Sequence, residues 1–384
     1  MKKRVIKDEV VIRSDKAERD GKRNEKGVIF KGFEIEVIET LTGEKIDDNN
    51  VWYKDRNGDF YWSGGFENPN INESQSKLDH NLLPDTNCSK NNLIDHYENI
   101  KPIISNLELD DFFGQGINIA VLDSGVFESH PDLKNCSNSQ LLESQNFHPS
   151  YHSPDDLNGH GTHIAGLISG NPDNGIGVKG VAPLAKIWNL RVADERGDIN
   201  SASLIKALDY ILASDLKIDV INLSLNTHPN YLDSLNQTLS KLFDKGIILV
   251  GAANDAKEQL IDFCFTPAAS PYVISVGAFK NDFRLNMGET LHETLDYIMP
   301  LTSYCSTSIE QSDFYKSDKG SSMNVALFSG IVARLLSKSK MNAVEVIQSI
   351  DGISHSFSNN LPLTNSMIIK NENSTFRSTI STNI

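Results

Sequence analysis

Apolar residues change their spacing partway along this chain. In the first stretch, Val28-Ile29-Phe30, Phe33-Glu34-Ile35-Glu36-Val37-Ile38 and Val51-Trp52-Tyr53 read as alternating, half-buried strands. Asn57-Gly58, set between Tyr53-Lys54-Asp55 and Phe60-Tyr61-Trp62, predicts a tight hairpin. Residues 69–93 are rich in Asn, Ser, Asp and Pro, carry no period, and read as a linker. Beyond it the apolar runs become continuous. Ile117 to Leu122, Val220 to Leu225 and Ile247 to Val250 predict strands buried on both faces, while Ile164 to Ile168 and Val325 to Leu336 predict buried helices. Ala343 to Ile350 reads as the last helix, and the polar tail over 353–384 holds one short strand candidate at 366–369. The pattern predicts an α/β domain over 94–352, with a mostly parallel central sheet flanked by helices, preceded by a small all-β domain over 1–68.

Three short segments place chemistry at the ends of these elements. Asp123 closes the run Ile117 to Leu122, which puts a carboxylate at the carboxyl edge of a buried strand, where open α/β sheets build their sites. His160 follows Asn158-Gly159 and opens the first buried helix; Ser322 opens the second. An Asp, a His and a Ser presented in this way suit a nucleophilic relay. The hydroxyl attacks, the imidazole takes its proton, and the carboxylate fixes the tautomer and steadies the imidazolium.

Asp123-Ser124-Gly125, His160-Gly161-Thr162-His163 and Gly320-Ser321-Ser322-Met323 stand in the order Asp, His, Ser. At these residues the chain resembles the subtilases, the subtilisin-like serine peptidases, and the resemblance runs from about Ile94 to Ile350. It implies a subtilisin-like fold and a serine endopeptidase with Ser322 as nucleophile, His160 as general base and Asp123 orienting it. Asn254, ending Ile247 to Ala253, matches the family's oxyanion-hole amide, with the Ser322 backbone N–H as second donor. Ser224, Leu225 and Asn226, with Gly251, Ala252 and Ala253, match the segments that bind an extended substrate. The family's usual Gly-Thr-Ser-Met-Ala-x-Pro stands here as Gly320 to Ala326, so Asn324, Ala326 and Leu327 replace its Ala, Pro and His. Asn226 replaces a usual glycine beside the first pocket, which implies restricted specificity.

The resemblance also implies a structural calcium. Asp132, in Ser129-His130-Pro131-Asp132-Leu133, and the loop Asn171 to Val178 match the family's site, with Asn174 and the carbonyls of Pro172, Ile176 and Val178 completing an all-oxygen shell. His130 and His163 read as hydrogen-bonded structural histidines rather than zinc ligands. No organic cofactor is expected. Trp52 to Gly65 resembles bacterial SH3-like domains, small β-barrels that hold a ligand or dock an enzyme, with these aromatics equally suited to filling a small core.

Composition narrows the partners. The chain has 384 residues and a net charge of −15, which argues against nucleic acid and fits protein or peptide substrates. No stretch reaches membrane-spanning length. Cys88, Cys136, Cys264 and Cys305 lie far apart without metal-ligand spacing and read as reduced thiols. The start, Met1-Lys2-Lys3-Arg4, runs into charge with no apolar core of a signal sequence, so a cytoplasmic location is expected. Two other readings stand beside the endopeptidase: a catalytically weak pseudo-peptidase acting as a peptide-binding or scaffold protein, and a non-peptidase hydrolase or transacylase using the same acyl-enzyme.

Overall fold

The computed structural model describes residues 2–4, 9–13, 25–30, 34–46, 49–55, 60–62, 88, 96–133, 141–171, 177–227, 231–256, 266–279, 292–310, 314–356, 367–372, 374 and 376, with the backbone alone for those up to 62 and for 96, 141–143 and 254–256. They fall into two compact units, Met1–Asn81 and Leu82–Ile384.

The first unit is a sheet of β1 (Lys2–Arg4), β2 (Glu9–Arg13), β3 (Glu25–Phe30), β4 (Glu34–Ile46), β5 (Asn49–Asp55) and β6 (Phe60–Trp62). Its order is β1-β4-β5-β6-β2-β3 and its pairs are antiparallel. Strands β5 and β6 pair with Trp52 opposite Trp62 and Tyr53 opposite Tyr61, a register that a hairpin centred on Asn57-Gly58 would give; the turn itself lies outside the described residues. Among the described residues β1 and β3 are the sheet's edges, and no pairing between them marks the expected SH3-like barrel.

The second unit is built on a nine-stranded sheet. Its elements are α1 (His96–Asn106), β7 (Asn118–Asp123), β8 (Leu141–Asn146), α2 (His160–Ser169), β9 (Lys186–Arg191), α3 (Ser201–Ala213), β10 (Val220–Leu223), α4 (Leu232–Asp244), β11 (Ile248–Ala256), β12 (Ile274–Phe279), β13 (Tyr297–Pro300), β14 (Tyr304–Thr307), β15 (Tyr315–Asp318), α5 (Ser321–Lys338), α6 (Ala343–Asp351), β16 (His355–Ser356) and β17 (Ile369–Lys370). The order is β16-β17-β13-β12-β11-β10-β7-β9-β8, and every pair from β8 to β13 is parallel. Strands β14 and β15 form a separate antiparallel hairpin.

Strand β7 shows why the apolar runs are continuous. Ile119 and Val121 join a core with Ile164 of α2 and Val325 of α5, while Ala120 and Leu122 join the opposite core with Leu204 and Leu208 of α3 and Leu239 of α4. Both faces are covered, so both sets must be apolar. Helix α5 is buried on nearly every side from Ser321 to Leu335, which its apolar sequence accommodates. Strands are added on one side of β7 up to β9 and on its other side from β10 onward, so the crevice at the carboxyl ends of β7 and β10 is the place where such sheets bind ligands. No helix of the described residues is long and apolar enough to cross a membrane.

One cysteine expectation is corrected. Cys88 and Cys305 form a disulfide, with Cα atoms 5.7 Å apart and a sequence separation of 217. Nothing in the cysteine spacing reveals a pair that only the fold brings together. Cys136 and Cys264 lie outside the described residues.

Candidate active site

Asp123 ends β7 and is buried. Its Oδ1 accepts the Ser124 N–H at 2.7 Å and the His160 Nδ1–H at 2.8 Å; Oδ2 lies 3.0 Å from the same nitrogen. The two donors fix the orientation of the carboxylate. Gly161 makes this approach feasible, since a Cβ there would lie 2.1 Å from the Gly125 carbonyl and 3.0 Å from the Asp123 Cβ.

His160 is the first residue of α2, and its position is set by a second carboxylate. Oδ1 of buried Asp156 accepts from Ser124 Oγ (2.9 Å), Asn158 N (2.9 Å) and Gly159 N (2.8 Å), and Oδ2 accepts from Thr162 N (2.9 Å) and Thr162 Oγ1 (2.6 Å). Ser124 Oγ in turn accepts the Gly161 N–H at 3.0 Å. Asp156 thus satisfies N–H groups at the start of α2 and ties them to the residue after Asp123. Sequence reading missed it: Asp156 stands four residues before the first residue of α2, outside the usual N-cap position. The hairpin β14–β15 holds the other side of α2: Ser306 Oγ donates to the His163 carbonyl (2.7 Å) and Thr307 Oγ1 to that of Thr162 (2.6 Å).

Electrostatics follow from this packing. Burial pulls the His160 imidazole down, yet the charge and hydrogen bond of Asp123, helped by Asp318, outweigh it and leave the pKa above its ordinary 6.5. His163 behaves oppositely: burial, with Lys316 and His160 nearby, pushes it to about 3, and its Nε2–H donates to the Tyr304 carbonyl at 3.2 Å. His130 donates Nε2–H to the Phe314 carbonyl (2.8 Å) and accepts the Asp132 N–H on Nδ1 (3.1 Å). Both are the hydrogen-bonded structural histidines expected.

Ser322 is the second residue of α5, entered through Gly320 at φ +150°. Its Oγ donates to the Ser224 carbonyl at 3.3 Å, and no hydrogen bond joins it to His160. Ser224 Oγ donates to the Ser322 carbonyl at 2.8 Å and accepts from Asn222 Nδ2 at 3.0 Å; Asn222 Oδ1 accepts from Ser329 Oγ at 3.1 Å. The Ser322 N–H belongs to the first turn of α5, whose N–H groups have no partner within the helix.

His160, Ser322, Ser321, Met323, Gly320, Lys319, Asp318, Asn226 and Ala253 line one cleft of about 210 Å³. Of the expected substrate-binding residues, Asn226 and Ala253 reach it, and Ser224 sits behind the nucleophile. Leu225, Gly251 and Ala252 are buried and do not line it. In the orientation that satisfies its neighbours, the Asn226 amide donates to the carbonyls of Ala252 (3.2 Å) and Leu225 (3.0 Å), bridging the carboxyl ends of β10 and β11. Asn254 lies in β11, and its side chain is outside the described residues.

The calcium expectation is not supported. Asp132 is buried, and its Oδ2 already accepts the Val178 N–H at 2.8 Å and the Tyr315 O–H at 3.0 Å. Gly177 packs so closely on this carboxylate that a Cβ would lie 2.3 Å from Oδ2. Oδ2 of the only acidic ligand expected is thus held by two hydrogen-bond donors. Pro172, Asn174 and Ile176 lie outside the described residues, among which no group of three or more His, Cys, Asp or Glu side chains is placed to hold a metal.

Comparison with known proteins gives the family. The profile of the subtilase family (peptidase S8) matches residues 114–351. The chain is 31% identical over 236 residues to the thermophilic serine proteinase of Bacillus sp. (strain AK1), covering 62% of this chain and 56% of that protein. It is 32% identical over 210 residues to the minor extracellular protease Epr of Bacillus subtilis (strain 168), covering 54% of this chain and 30% of that protein. The chain therefore spans well under two thirds of these relatives. Among solved structures, sphericase superposes with a TM-score of 0.53 at 25% identity, covering 66% of this chain and 88% of that one.

Proposed function

The chain belongs to the subtilase family, and from that premise we propose that it is a serine endopeptidase cutting peptide bonds through an acyl-enzyme on Ser322. The observation that carries this reading is the Asp123–His160 pair opening onto the same cleft as Ser322. His160, with Nδ1–H held by Asp123, presents Nε2 as the base. Ser322 leaves the Ser224 carbonyl, gives its proton to His160, and attacks the carbonyl carbon of the substrate. The resulting oxyanion is received by the Ser322 N–H and, in our reading, the Asn254 amide. The imidazolium then protonates the leaving amine, and water repeats the sequence to release the acid.

We also propose restricted specificity, supported by Asn226 and Ala253 as side-chain-bearing walls of the cleft. Asn226→Gly then widens the accepted residues in a peptide-library profile, and an unchanged profile removes the claim. The N-terminal sheet is proposed as an SH3-like docking module, supported by its antiparallel aromatic hairpin.

The deciding experiment is labelling with a fluorophosphonate probe beside cleavage of denatured casein. Labelling lost in Ser322→Ala, with cleavage lost in both Ser322→Ala and His160→Ala, is expected. One observation favours a second reading, a peptide-holding protein without turnover: the Ser322 hydroxyl rests on Ser224 instead of His160. Wild-type protein that neither labels nor cuts would support it.

A further inference from the structure

Asn324 stands two residues after the nucleophile in a stretch where an amide is unexpected. Val325, Ala326, Leu327 and Phe328 beside it are fully buried, and so is Asn324. Its Nδ2 lies 3.2 Å from the Gly277 carbonyl, 3.2 Å from that of Met299 and 3.3 Å from that of Pro300. Three acceptors on one side allow a single amide orientation, with the NH₂ toward them, and Oδ1 accepts no hydrogen bond from the described residues. A buried amide satisfied on one side only is a costly substitute for an apolar residue, and a packing role alone gives no reason for it.

Its location gives a reason. Gly277 lies in β12, and Met299 and Pro300 lie in β13, so the amide joins the carboxyl-end halves of two neighbouring parallel strands. The Asn324 N–H reaches back to the Gly320 carbonyl (3.4 Å), closing the turn that contains Ser322. Residues two apart on a helix point about 200° apart around its axis. The turn is therefore held from two directions, by Ser224 after β10 through the Ser322 main chain and by β12 and β13 through Asn324. A rotation that released Asn324 would swing the Ser322 hydroxyl away from the imidazole it must reach.

We propose that Asn324 is a positioning residue that sets the aim of the Ser322 hydroxyl by docking the first turn of α5 on β12 and β13. The inference rests on the acyl-enzyme reading above.

The test uses the full chain and the variants Asn324→Ala and Asn324→Ser, with Ser322→Ala as the zero. A fluorophosphonate probe titrates competent sites, and kcat and KM for a peptide substrate are expressed per titrated site. Displacement of a reacting group lowers turnover at constant binding, so Asn324→Ala should reduce kcat per site at least ~10-fold with KM changed less than about two-fold. Asn324→Ser, whose hydroxyl can still donate to a carbonyl, should recover part of the loss, and it serves the same comparison if the alanine variant fails to fold. A merely structural role lowers the melting temperature and the titrated fraction but leaves kcat per site at the wild-type value; that result overturns the proposal. Wild-type protein that does not react with the probe overturns the acyl-enzyme reading instead, so the two failures are distinguishable.

Discussion

Ser322 and Ser224 exchange hydrogen bonds: the Ser322 hydroxyl donates to the Ser224 carbonyl at 3.3 Å, and the Ser224 hydroxyl donates to the Ser322 carbonyl at 2.8 Å. The reciprocal pair fastens the start of α5 to the end of β10, and its weaker half is the one that the proposed attack by Ser322 must break. Ser224→Ala keeps the carbonyl but removes the hydroxyl, leaving the buried Asn222 amide without that acceptor. A loss of about 1–3 kcal/mol in stability is expected for such an unsatisfied group, with a fall in kcat larger than any change in KM. Thermal melting and steady-state kinetics check both parts.

The proposed role of His160 as general base sets an expected pH dependence. A general base works when neutral, so kcat/KM should rise with pH through a value above 6.5. Asp318 raises that value and Lys316 lowers it, so Asp318→Asn should move the acid limb to lower pH and Lys316→Gln to higher. The linked stability has the opposite course. A raised pKa in the fold gives a contribution fully present below the unfolded value of 6.5, and it is lost as pH rises through the folded one. Acid limbs that coincide in all three proteins would contradict this assignment.

Asp156 offers a separate test of how the histidine is held. Asp156→Ala strands the N–H groups of Asn158, Gly159 and Thr162, which a helix cap of this kind stabilises by about 0.5–2 kcal/mol. Loosening α2 should also let His160 drift from Asp123, and a misplacement near 1 Å can cost ~10²-fold in rate. The acid limb should fall toward that of an unpaired imidazole. A lower melting temperature with an unchanged pH profile would restrict Asp156 to stability.

Tyr315→Phe removes the hydroxyl that donates to the buried Asp132 carboxylate. Hydrogen bonds to charged groups contribute about 1.5–3 kcal/mol, and thermal melting of the variant should show a loss of that order. In the wild type, added calcium should leave the melting temperature unchanged, because Asp132 is already engaged by Val178 and Tyr315. A calcium-dependent rise would restore the metal.

Candidate site residues at the ends of continuous apolar runs were legible in the sequence. Asp123, His160 and Ser322 could be found because β7, α2 and α5 are buried on several sides and so carry an unmistakable run before or after each polar residue. Asp156 escaped because it sits in Pro154-Asp155-Asp156-Leu157-Asn158, where any of several groups could cap a turn. The Tyr315–Asp132 bond joins residues 183 apart, and no local pattern records it. Asn324 was visible as a departure from the family's motif, but its partners lie on strands whose register only the fold supplies. Leu225 belongs to the segment expected to bind substrate, and its side chain lies in the core with Leu223, which leaves only its main chain for that role.

The bond between Cys88 and Cys305 encloses most of the catalytic body within one covalent loop. A single backbone break between those positions would leave two fragments tied together. Such damage, including any the molecule inflicts on its own kind, would pass as an intact band on a gel until the thiols were freed.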